Sequence, residues 1–224
     1  MIFKMPHKSK HFLSNPGELN HVELRAYLDC CLDPVPDFPD FGQGKLTKEP
    51  IEKAASYRPA AILLPLLRVK FDWHILMTKR AAHLAHHAGQ ISFPGGKVES
   101  CDTSAVEAAL REALEEVQLS PGQVQVVGLL DKVLSPAGFQ VQPVVGIVSG
   151  ENPLNHLMPN PAEVDLMFTL PLAHLIDPGN FRLVHRKTDG KRNDYWVVEH
   201  DDHLIWGLSA RVLNDLCRRV NKVV

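Results

Sequence analysis

The stretch GQISFPGGKVESCDTSAVEAALREALEEVQL, residues 89–119, decides the fold because it joins a glycine-rich loop to a strongly patterned helix. Ser104 followed three residues later by Glu107 is a capping-box pattern, with Asp102 and Thr103 as alternative caps. Apolar residues then recur at helical spacing and form one stripe, namely Val106, Ala109, Leu110, Ala113, Leu114 and Val117. The pattern predicts an amphipathic helix that buries this stripe.

Three carboxylates lie on another side of the same helix. At roughly 100° per residue, Glu112, Glu115 and Glu116 fall within an arc of about 100°. Like charges at these spacings destabilise an isolated helix by about 0.2–0.5 kcal/mol per pair. A hard cation that takes oxygen ligands from the carboxylates offsets this repulsion. A solvated acidic face, partly relieved by Arg111, is the alternative interpretation.

Two glycines, Gly95 and Gly96, precede the helix in the sequence FPGG. Glycine is favoured where the backbone approaches another group closely or adopts a positive φ. Loops of this kind bring main-chain groups and a helix N-terminus toward phosphate oxygens. A Pro-Gly-Gly sequence alone is typical of a simple turn, but ahead of the three glutamates it indicates a metal–pyrophosphate site.

Together the loop and helix resemble the Nudix box, G-x5-E-x7-R-E-U-x-E-E-x-G-U, in which U is bulky and apolar. Gly96 fits the first glycine, and REALEEVQL, residues 111–119, fits the second half. The resemblance implies a Nudix-type α/β/α sandwich and hydrolysis of a pyrophosphate linkage with Mg²⁺ or Mn²⁺. It implies that Glu112, Glu115 and Glu116 hold the metal, that Glu112 also serves as a base, and that Arg111 orients the carboxylates.

The chain departs from this box at three points. Asp102 replaces the first glutamate, and eight residues rather than seven separate it from Arg111. Gln118 replaces the usual glycine, and Ala113 is small for its apolar position. Because the R-E-x-x-E-E core is intact, these departures concern loop geometry more than chemistry.

A second signature lies just upstream. LMTKRAAHLAHHAGQISFPGG, residues 76–96, resembles the coenzyme A pyrophosphatase branch of Nudix hydrolases, whose motif reads L-L-T-x-R-[SA]-x3-R-x3-G-x3-F-P-G-G. The matching positions are Thr78, Arg80, Ala81, Gly89 and Phe93 to Gly96. The resemblance implies coenzyme A or acyl-CoA as substrate, released as 3′,5′-ADP and 4′-phosphopantetheine or its acyl form. The substrate-binding residues are then predicted to be Arg80, Phe93, Gly95 and Gly96.

Ala85 stands where this signature has a second arginine. The side chains that are candidates to replace that arginine are Lys79, His83, His86 and His87. The departure keeps open another Nudix activity, on ADP-ribose, a dinucleotide or a nucleoside triphosphate. A catalytically silent nucleotide-binding Nudix module is a further alternative, although such a module does not need three clustered carboxylates.

Two further residues have alternative interpretations. Glu163, in NPAEVDL, is predicted to serve as a general base or additional metal ligand, the alternative being a surface glutamate. Arg80 either binds substrate phosphate or pairs structurally with a carboxylate of the box. A zinc site at His83 and His87 is disfavoured because no H-E-x-x-H pattern is present. No G-x-S-x-G, Walker A or G-x-G-x-x-G sequence occurs either.

The composition is that of an ordinary globular protein, with 45% hydrophobic and 22% charged residues among 224. We predict a helical arm and linker over residues 1–49 and a Nudix domain over 50–224. A net charge of −2 disfavours nucleic acid as a partner. Four cysteines without a C-x-x-C pair, and no apolar run of membrane-spanning length, predict a cytoplasmic protein that does not enter a membrane. A homodimer is left open.

Secondary-structure signals surround the central helix. Helical spacing is present at residues 16–32 through Leu19, Val22, Leu24 and Leu28, a second short helix is indicated at 48–58, and a last helix at 209–224 has Ser209 as its N-cap. Runs of strand character lie at 60–69, 73–80, 124–134, 141–150, 164–172, 181–187 and 195–200. These signals predict an α/β fold with a mixed sheet and helices on its faces.

Overall fold

The computed structural model describes residues 16–36, 57–85, 87–188 and 191–222. The helices are α1 (His21–Cys31), α2 (Ala105–Val117), α3 (Leu172–Leu175) and α4 (Gly207–Lys222). The strands are β1 (Arg58–Val69), β2 (Asp72–Arg80), β3 (Ile91–Ser92), β4 (Gly95–Lys97), β5 (Val124–Leu129), β6 (Val133–Ser135), β7 (Phe139–Val148), β8 (Val164–Pro171), β9 (Phe181–Thr188), β10 (Lys191–His200) and β11 (His203–Trp206). No helix in these ranges is both long and apolar enough to cross a bilayer.

The main sheet is mixed. Its central path runs β3-β2-β1-β7-β5, while β4 pairs with β1, β6 with β7 and β8 with β2. Strands β1 and β7 are parallel, and the other pairings in this sheet are antiparallel. Strands β9, β10 and β11 form a separate antiparallel sheet. The predicted mixed α/β architecture is confirmed.

Strand β1 is apolar along most of its length because both of its faces are covered. Leu63 and Leu67 belong to one hydrophobic cluster, which contains the apolar side of α2. Leu64 and Leu66 belong to the other cluster, which contains residues of α1, α4 and the small sheet. A strand buried on both faces reads as a continuous apolar run rather than an alternating one. The sheet is therefore the middle layer of the predicted sandwich.

Helix α1 forms where the N-terminal pattern predicts a helix. Asn20 accepts hydrogen bonds from the amides of Val22 and Glu23, and the Glu23 carboxylate bonds back to the Asn20 amide, which completes a capping box. Leu24 and Leu28 are buried in the core. Val22, which also contributed to the helical spacing, is 74% exposed and lies outside the core.

Other boundaries also differ from the sequence expectation. Helix α4 begins at Gly207, so Ser209 lies in its first turn; the Ser209 hydroxyl donates to the Ile91 carbonyl at 3.0 Å rather than capping the helix. The run at 124–134 divides into β5 and β6. Strand β11 was not predicted. The short helix expected at 48–58 lies almost entirely outside the described residues.

Candidate active site

Arg111 and Asp102 form the frame of the site. Arg111 Nε and Nη2 donate to the two Asp102 carboxylate oxygens, each at 3.0 Å, and Nη2 also donates to the Lys97 carbonyl at 3.0 Å. Bidentate pairs of this kind combine strength with geometric specificity. Hydrogen bonding from Arg111 is the main reason why the pKa of Asp102 is lowered. The eight-residue spacing therefore still brings a carboxylate onto the box arginine.

The ends of α2 explain two features of the sequence pattern. The amide of Glu107 donates to Ser104 Oγ at 3.1 Å, as the capping-box pattern predicts. The Glu107 carboxylate, however, accepts from the Thr103 amide rather than from that of Ser104. At the other end Gln118 adopts a left-handed conformation with φ 58° and ψ 27°, a position where glycine is the usual residue.

Gly95 and Gly96 lie in β4, directly against the carboxylate-bearing face of α2. A Cβ on Gly96 would overlap the Glu112 carboxylate. Gly95 has φ +155°, and a Cβ there would overlap the backbone of Ala61 and Ile62 in β1. Both glycines are needed because two elements approach the same short strand.

Glu116 is the most buried of the three box glutamates. Its side chain is 3% exposed, whereas that of Glu115 is 50% exposed. Burial raises the pKa of Glu116 to about 8; Arg80 opposes the shift, and the charges of Glu112 and Glu163 add to it. Burial also raises the pKa of Glu112. The site therefore holds two carboxylates whose ionised forms are disfavoured by burial.

Arg80 and Glu163 approach this carboxylate cluster from outside the helix. Arg80 Nη1 lies 3.7 Å from Glu116 Oε1, while the Arg80 Nε atom is buried and has no hydrogen-bond partner among the described residues. The negative charge of Glu163 contributes to raising the pKa of both Glu112 and Glu116. Glu163 is therefore close to the cluster, although it is about fifty residues away in sequence.

Phe93 does not join the other predicted site residues. Its side chain is 2% exposed and belongs to the core cluster on the face of the sheet opposite α2. The structure therefore places Phe93 among packing residues, and its predicted role in substrate binding stays a prediction. The other predicted residues come together, namely Arg80, Gly95, Gly96, Arg111, Glu112, Glu115, Glu116 and Glu163.

The loop after β2 is fastened by its own polar groups. His83 Nε2 lies 3.1 Å from the Ala162 carbonyl, and His87 Nδ1 lies 2.9 Å from Gln90 Oε1. His86 lies outside the described residues. The Asp165 carboxylate accepts the amide hydrogen of Ala82. Sequence analysis did not identify Asp165, since an acidic residue two positions after Glu163 is too common to carry a signal.

The donor set suits a hard cation, because every candidate ligand is a carboxylate oxygen. In the described part of the chain, no group of three His, Cys, Asp or Glu residues is already arranged around a metal position. Arg111 Nη1 contacts Glu112 at 3.1 Å and Glu115 at 3.3 Å, and so occupies two of the candidate ligands. A cation bound here would compete with these contacts, and its charge would oppose the burial and the neighbouring carboxylates that together raise the pKa of Glu116.

Comparisons with known proteins identify the family of this chain. The sequence model of the NUDIX domain matches residues 56–189. A protein of Salmonella dublin named "Uncharacterized Nudix hydrolase NudL" is 39% identical over 168 residues, which is 75% of this chain and 85% of that protein. Its namesake in Salmonella newport is 39% identical over 163 residues, covering 73% of this chain and 83% of the relative. A MutT/nudix family protein from Enterococcus faecalis aligns at 14% identity over 99% of this chain and 75% of its own, with a TM-score of 0.46.

Proposed function

Since the chain belongs to the Nudix hydrolase family, we propose that it hydrolyses the pyrophosphate linkage of coenzyme A or acyl-CoA. The products are 3′,5′-ADP and 4′-phosphopantetheine or its acyl form. The observation that carries the hydrolytic part of the proposal is the convergence of Glu112, Glu116 and Glu163 beside Arg80. Carboxylates so close together in a buried site suit a cation-dependent reaction on a diphosphate.

Three glutamates are the proposed metal ligands: Glu112, Glu115 and Glu116. When bound, Mg²⁺ or Mn²⁺ neutralises diphosphate charge and lowers the pKa of an attacking water. The bidentate contact with Asp102 fixes the Arg111 guanidinium, which in turn contacts Glu112 and Glu115. This division of roles explains why one arginine is bonded to both a loop carboxylate and the ligands.

Glu163 is the proposed general base, and Glu112 is the second candidate. A base must accept the proton of the attacking water. Arg111 Nη1 already donates to Glu112 at 3.1 Å, which restricts that carboxylate. Glu163 belongs to a different segment, and its charge acts on both Glu112 and Glu116. Replacing Glu163 with Gln is expected to lower kcat, since the amide cannot take the proton.

Arg80 is the proposed phosphate-binding residue. Its guanidinium is within 3.7 Å of Glu116, so it lies at the edge of the carboxylate cluster. The turn that follows it is closed by hydrogen bonds from the Arg80 amide to the Gln90 carbonyl at 2.9 Å and from the Gly89 amide to the Arg80 carbonyl at 3.1 Å. Gly89 has φ +69°, a left-handed conformation that favours glycine. The upstream signature thus forms a closed loop beside the site, which supports a role in substrate binding.

The absence of the second signature arginine supports one competing substrate assignment. Ala85 lies in the described part of this loop and offers no charge for a coenzyme A phosphate. Another nucleoside diphosphate derivative, such as ADP-ribose, is the alternative substrate. A cytoplasmic location, a homodimer and the division at residue 50 stay predictions.

Product analysis on coenzyme A with Mg²⁺ or Mn²⁺ tests reaction and substrate together. We expect chromatography to resolve 3′,5′-ADP and 4′-phosphopantetheine. ADP-ribose, a dinucleotide and a nucleoside triphosphate are assayed in parallel. Much faster turnover of ADP-ribose would assign the alternative substrate, and no hydrolysis of any diphosphate over a range of metal concentrations would favour a silent binding module.

Restoring the missing arginine refines the substrate assignment. A new charge-assisted hydrogen bond is worth roughly 1.5–3 kcal/mol, less about 0.5–1.5 kcal/mol for ordering the side chain. Ala85→Arg is therefore expected to raise kcat/KM for coenzyme A by several-fold to about tenfold, and to raise it less for a substrate without the contacted phosphate. A folded variant that loses activity on coenzyme A would show that the loop binds its substrate differently.

A further inference from the structure

The pairing of β2 with β8 contains one extra residue at the edge of the site. The register is regular from His74 opposite Pro171 to Lys79 opposite Leu166, but Arg80 then lies opposite Val164. Asp165 is the additional residue, so it forms a β-bulge next to Arg80. Bulges re-aim a side chain or end a pairing, and they are frequent beside active sites.

The bulge directs the Asp165 carboxylate to the loop that follows β2. Asp165 Oδ2 accepts the Ala82 amide hydrogen at 2.9 Å. The bonds on either side connect the same two segments: the Ala81 amide donates to the Glu163 carbonyl at 2.9 Å, and His83 Nε2 lies 3.1 Å from the Ala162 carbonyl. Three consecutive residues of one loop therefore bond to the segment that carries Glu163.

The other end of that segment is fastened to the catalytic helix. The Asn160 amide donates to the Glu116 carbonyl at 2.8 Å. The Asn160 carbonyl in turn accepts the amides of Glu163 at 2.9 Å and Val164 at 2.8 Å. The backbone of Glu163 is thus held from two sides, by the helix that carries Glu116 and by the loop that follows Arg80.

We propose that Asp165 is a positioning residue for Glu163: by accepting the Ala82 amide hydrogen, the bulge carboxylate fixes where the Glu163 carboxylate lies relative to Glu112 and Glu116. This inference rests on the proposed function, in which Glu163 is the base. The upstream signature loop then has a second role besides substrate binding, because its residues 81–83 form the surface against which Glu163 is set.

Of the three hydrogen bonds between the loop and the Glu163 segment, the one at Asp165 has a carboxylate as its acceptor and a backbone amide as its donor. Such charge-assisted hydrogen bonds are stronger than neutral ones. Asp165 does not need to touch the substrate, since a small displacement of a catalytic group is enough to slow a reaction whose rate depends on orientation. Asparagine at this position keeps an acceptor oxygen of the same reach, whereas alanine removes it.

The first test compares kcat and KM for Asp165→Ala and Asp165→Asn on the diphosphate substrate that the protein hydrolyses fastest. We expect Asp165→Ala to lower kcat about tenfold, a modest misplacement effect, with KM little changed, and Asp165→Asn to restore most of kcat. Asp177→Ala is the matched control, because Asp177 Oδ1 likewise accepts a hydrogen bond from a backbone amide, that of Gly179 at 2.8 Å, in the 3-10 turn that precedes β9. Equal kcat for Asp165→Ala and the control would overturn the proposal.

The second test places Asp165→Ala in the Glu163→Gln background. If Asp165 acts through Glu163, its removal should change kcat by less than about twofold once the base is gone, since residues that act as a unit are non-additive. A full additional tenfold loss would mean that Asp165 acts independently, which contradicts the proposal. If Glu163→Gln alone leaves kcat unchanged, the failure lies in the assignment of Glu163 as base, and the positioning role falls with it.

A third measurement needs no turnover. Amide hydrogen exchange of the metal-free protein should be faster at Ala81 and Ala82 in Asp165→Ala than in the wild type or in Asp165→Asn. The reason is that the contact between residues 81–83 and the segment that carries Glu163 opens locally. Unchanged exchange at both amides would show that the carboxylate does not hold the loop, whatever the substrate. The exchange data therefore test whether Asp165 holds the loop, independently of whether the proposed reaction is correct.

Discussion

Two arginines in this protein each engage three carboxylates, but they do so in different ways. Arg111 contacts Asp102, Glu112 and Glu115 at 3.0–3.3 Å. Arg219 contacts a second set at 2.6–3.2 Å, namely Asp33, Asp131 and Asp215. The partners of Arg111 lie within nine residues of it, whereas those of Arg219 lie up to 186 residues away.

The difference separates two uses of the same chemistry. The carboxylate partners of Arg111 lie in its own helix and in the loop before that helix. Arg111 therefore mainly positions the carboxylates of the proposed active site. Arg219, in α4, reaches Asp33 just after α1 and Asp131 between β5 and β6. It therefore connects elements that the backbone does not join. We expect changes around Arg111 to alter activity first and changes around Arg219 to alter stability first.

The largest expected effect is the loss of activity in Glu116→Gln. The amide keeps the shape but cannot ionise to become an anionic ligand of a bound cation, so kcat should fall at least about 10²-fold. Stability should not fall, because a neutral group replaces a buried carboxylate. Steady-state kinetics and urea unfolding measure the two quantities. As a control, Asp131→Asn removes one charge from the Arg219 cluster and should leave kcat within about twofold of the wild-type value. Near-normal turnover in Glu116→Gln would mean that the three glutamates form an ordinary acidic helix face.

Arg219→Ala should give the opposite result. Removing the cation leaves three partly buried carboxylates facing each other, and we expect the free energy of unfolding to fall by about 2–3 kcal/mol, somewhat less than for a fully buried pair. Turnover of the folded fraction should be unchanged. Arg25→Ala removes one exposed i,i+4 pair with Asp29 and should cost only about 0.3–0.5 kcal/mol. A similar small loss in both variants would mean that the Arg219 cluster contributes no more to stability than an exposed ion pair.

Asp102→Asn tests the Arg111 frame through its dependence on pH. At pH 7 the variant should be less stable by about 1.5 kcal/mol, the scale of a hydrogen bond to a charged group. Because Arg111 lowers the pKa of Asp102 below its usual 3.8, this contribution is present above pH 3.8 and is lost as pH falls through the folded-state pKa. Urea unfolding between pH 7 and pH 3 should therefore show the gap between variant and wild type closing on the acid side.

Asp215 in the second cluster provides the contrast to this acid dependence. Burial raises its pKa, Arg219 opposes the shift and Asp131 adds to it. A carboxylate whose folded-state pKa is raised contributes stability at low pH, and that contribution is lost as pH rises through the folded-state value. A gap between wild type and Asp102→Asn that widened on acidification would contradict the pairing of Asp102 with Arg111.

The smallest expected effect is a gain in stability. Gln118 ends α2 in the left-handed conformation, which costs a non-glycine residue about 1 kcal/mol or more. Gln118→Gly should raise the free energy of unfolding by about 1 kcal/mol, whereas Gln118→Ala keeps a Cβ and should change it little. Thermal or urea unfolding of the two variants measures the difference. Equal stabilities would show that the helix end is not strained.

The contrast between the two arginines also describes what the sequence could predict. Arg111 and the three glutamates lie within six residues, so helical periodicity alone brings them together. The Arg219 cluster and the bulge at Asp165 depend on pairings between distant segments, which no local pattern contains. Phe93 matched a signature, but a matched letter does not say toward which face of the sheet the side chain points.

The fold class followed from the alternation of apolar runs and one strong helix, while its boundaries depended on tertiary contacts. Ser209 looked like a cap because its residue type suits one, yet its hydroxyl bonds to the Ile91 carbonyl of a strand. Gly95 and Gly96 were placed in a loop, but β4 pairs with β1 at these residues. In both cases a long-range partner overrides a local preference.

The contact between α1 and α4 has a consequence for how the chain folds as it is made. The Tyr27 hydroxyl donates to the Val220 carbonyl across 193 residues. At about 5–20 residues per second, a ribosome needs roughly 10–40 seconds to supply the partner of the first helix. The strands of the main sheet are synthesised within that interval, so until α4 follows them the face that bears Leu64 and Leu66 has only part of its cover. We therefore expect the nascent chain to expose that one face until α4 has been synthesised.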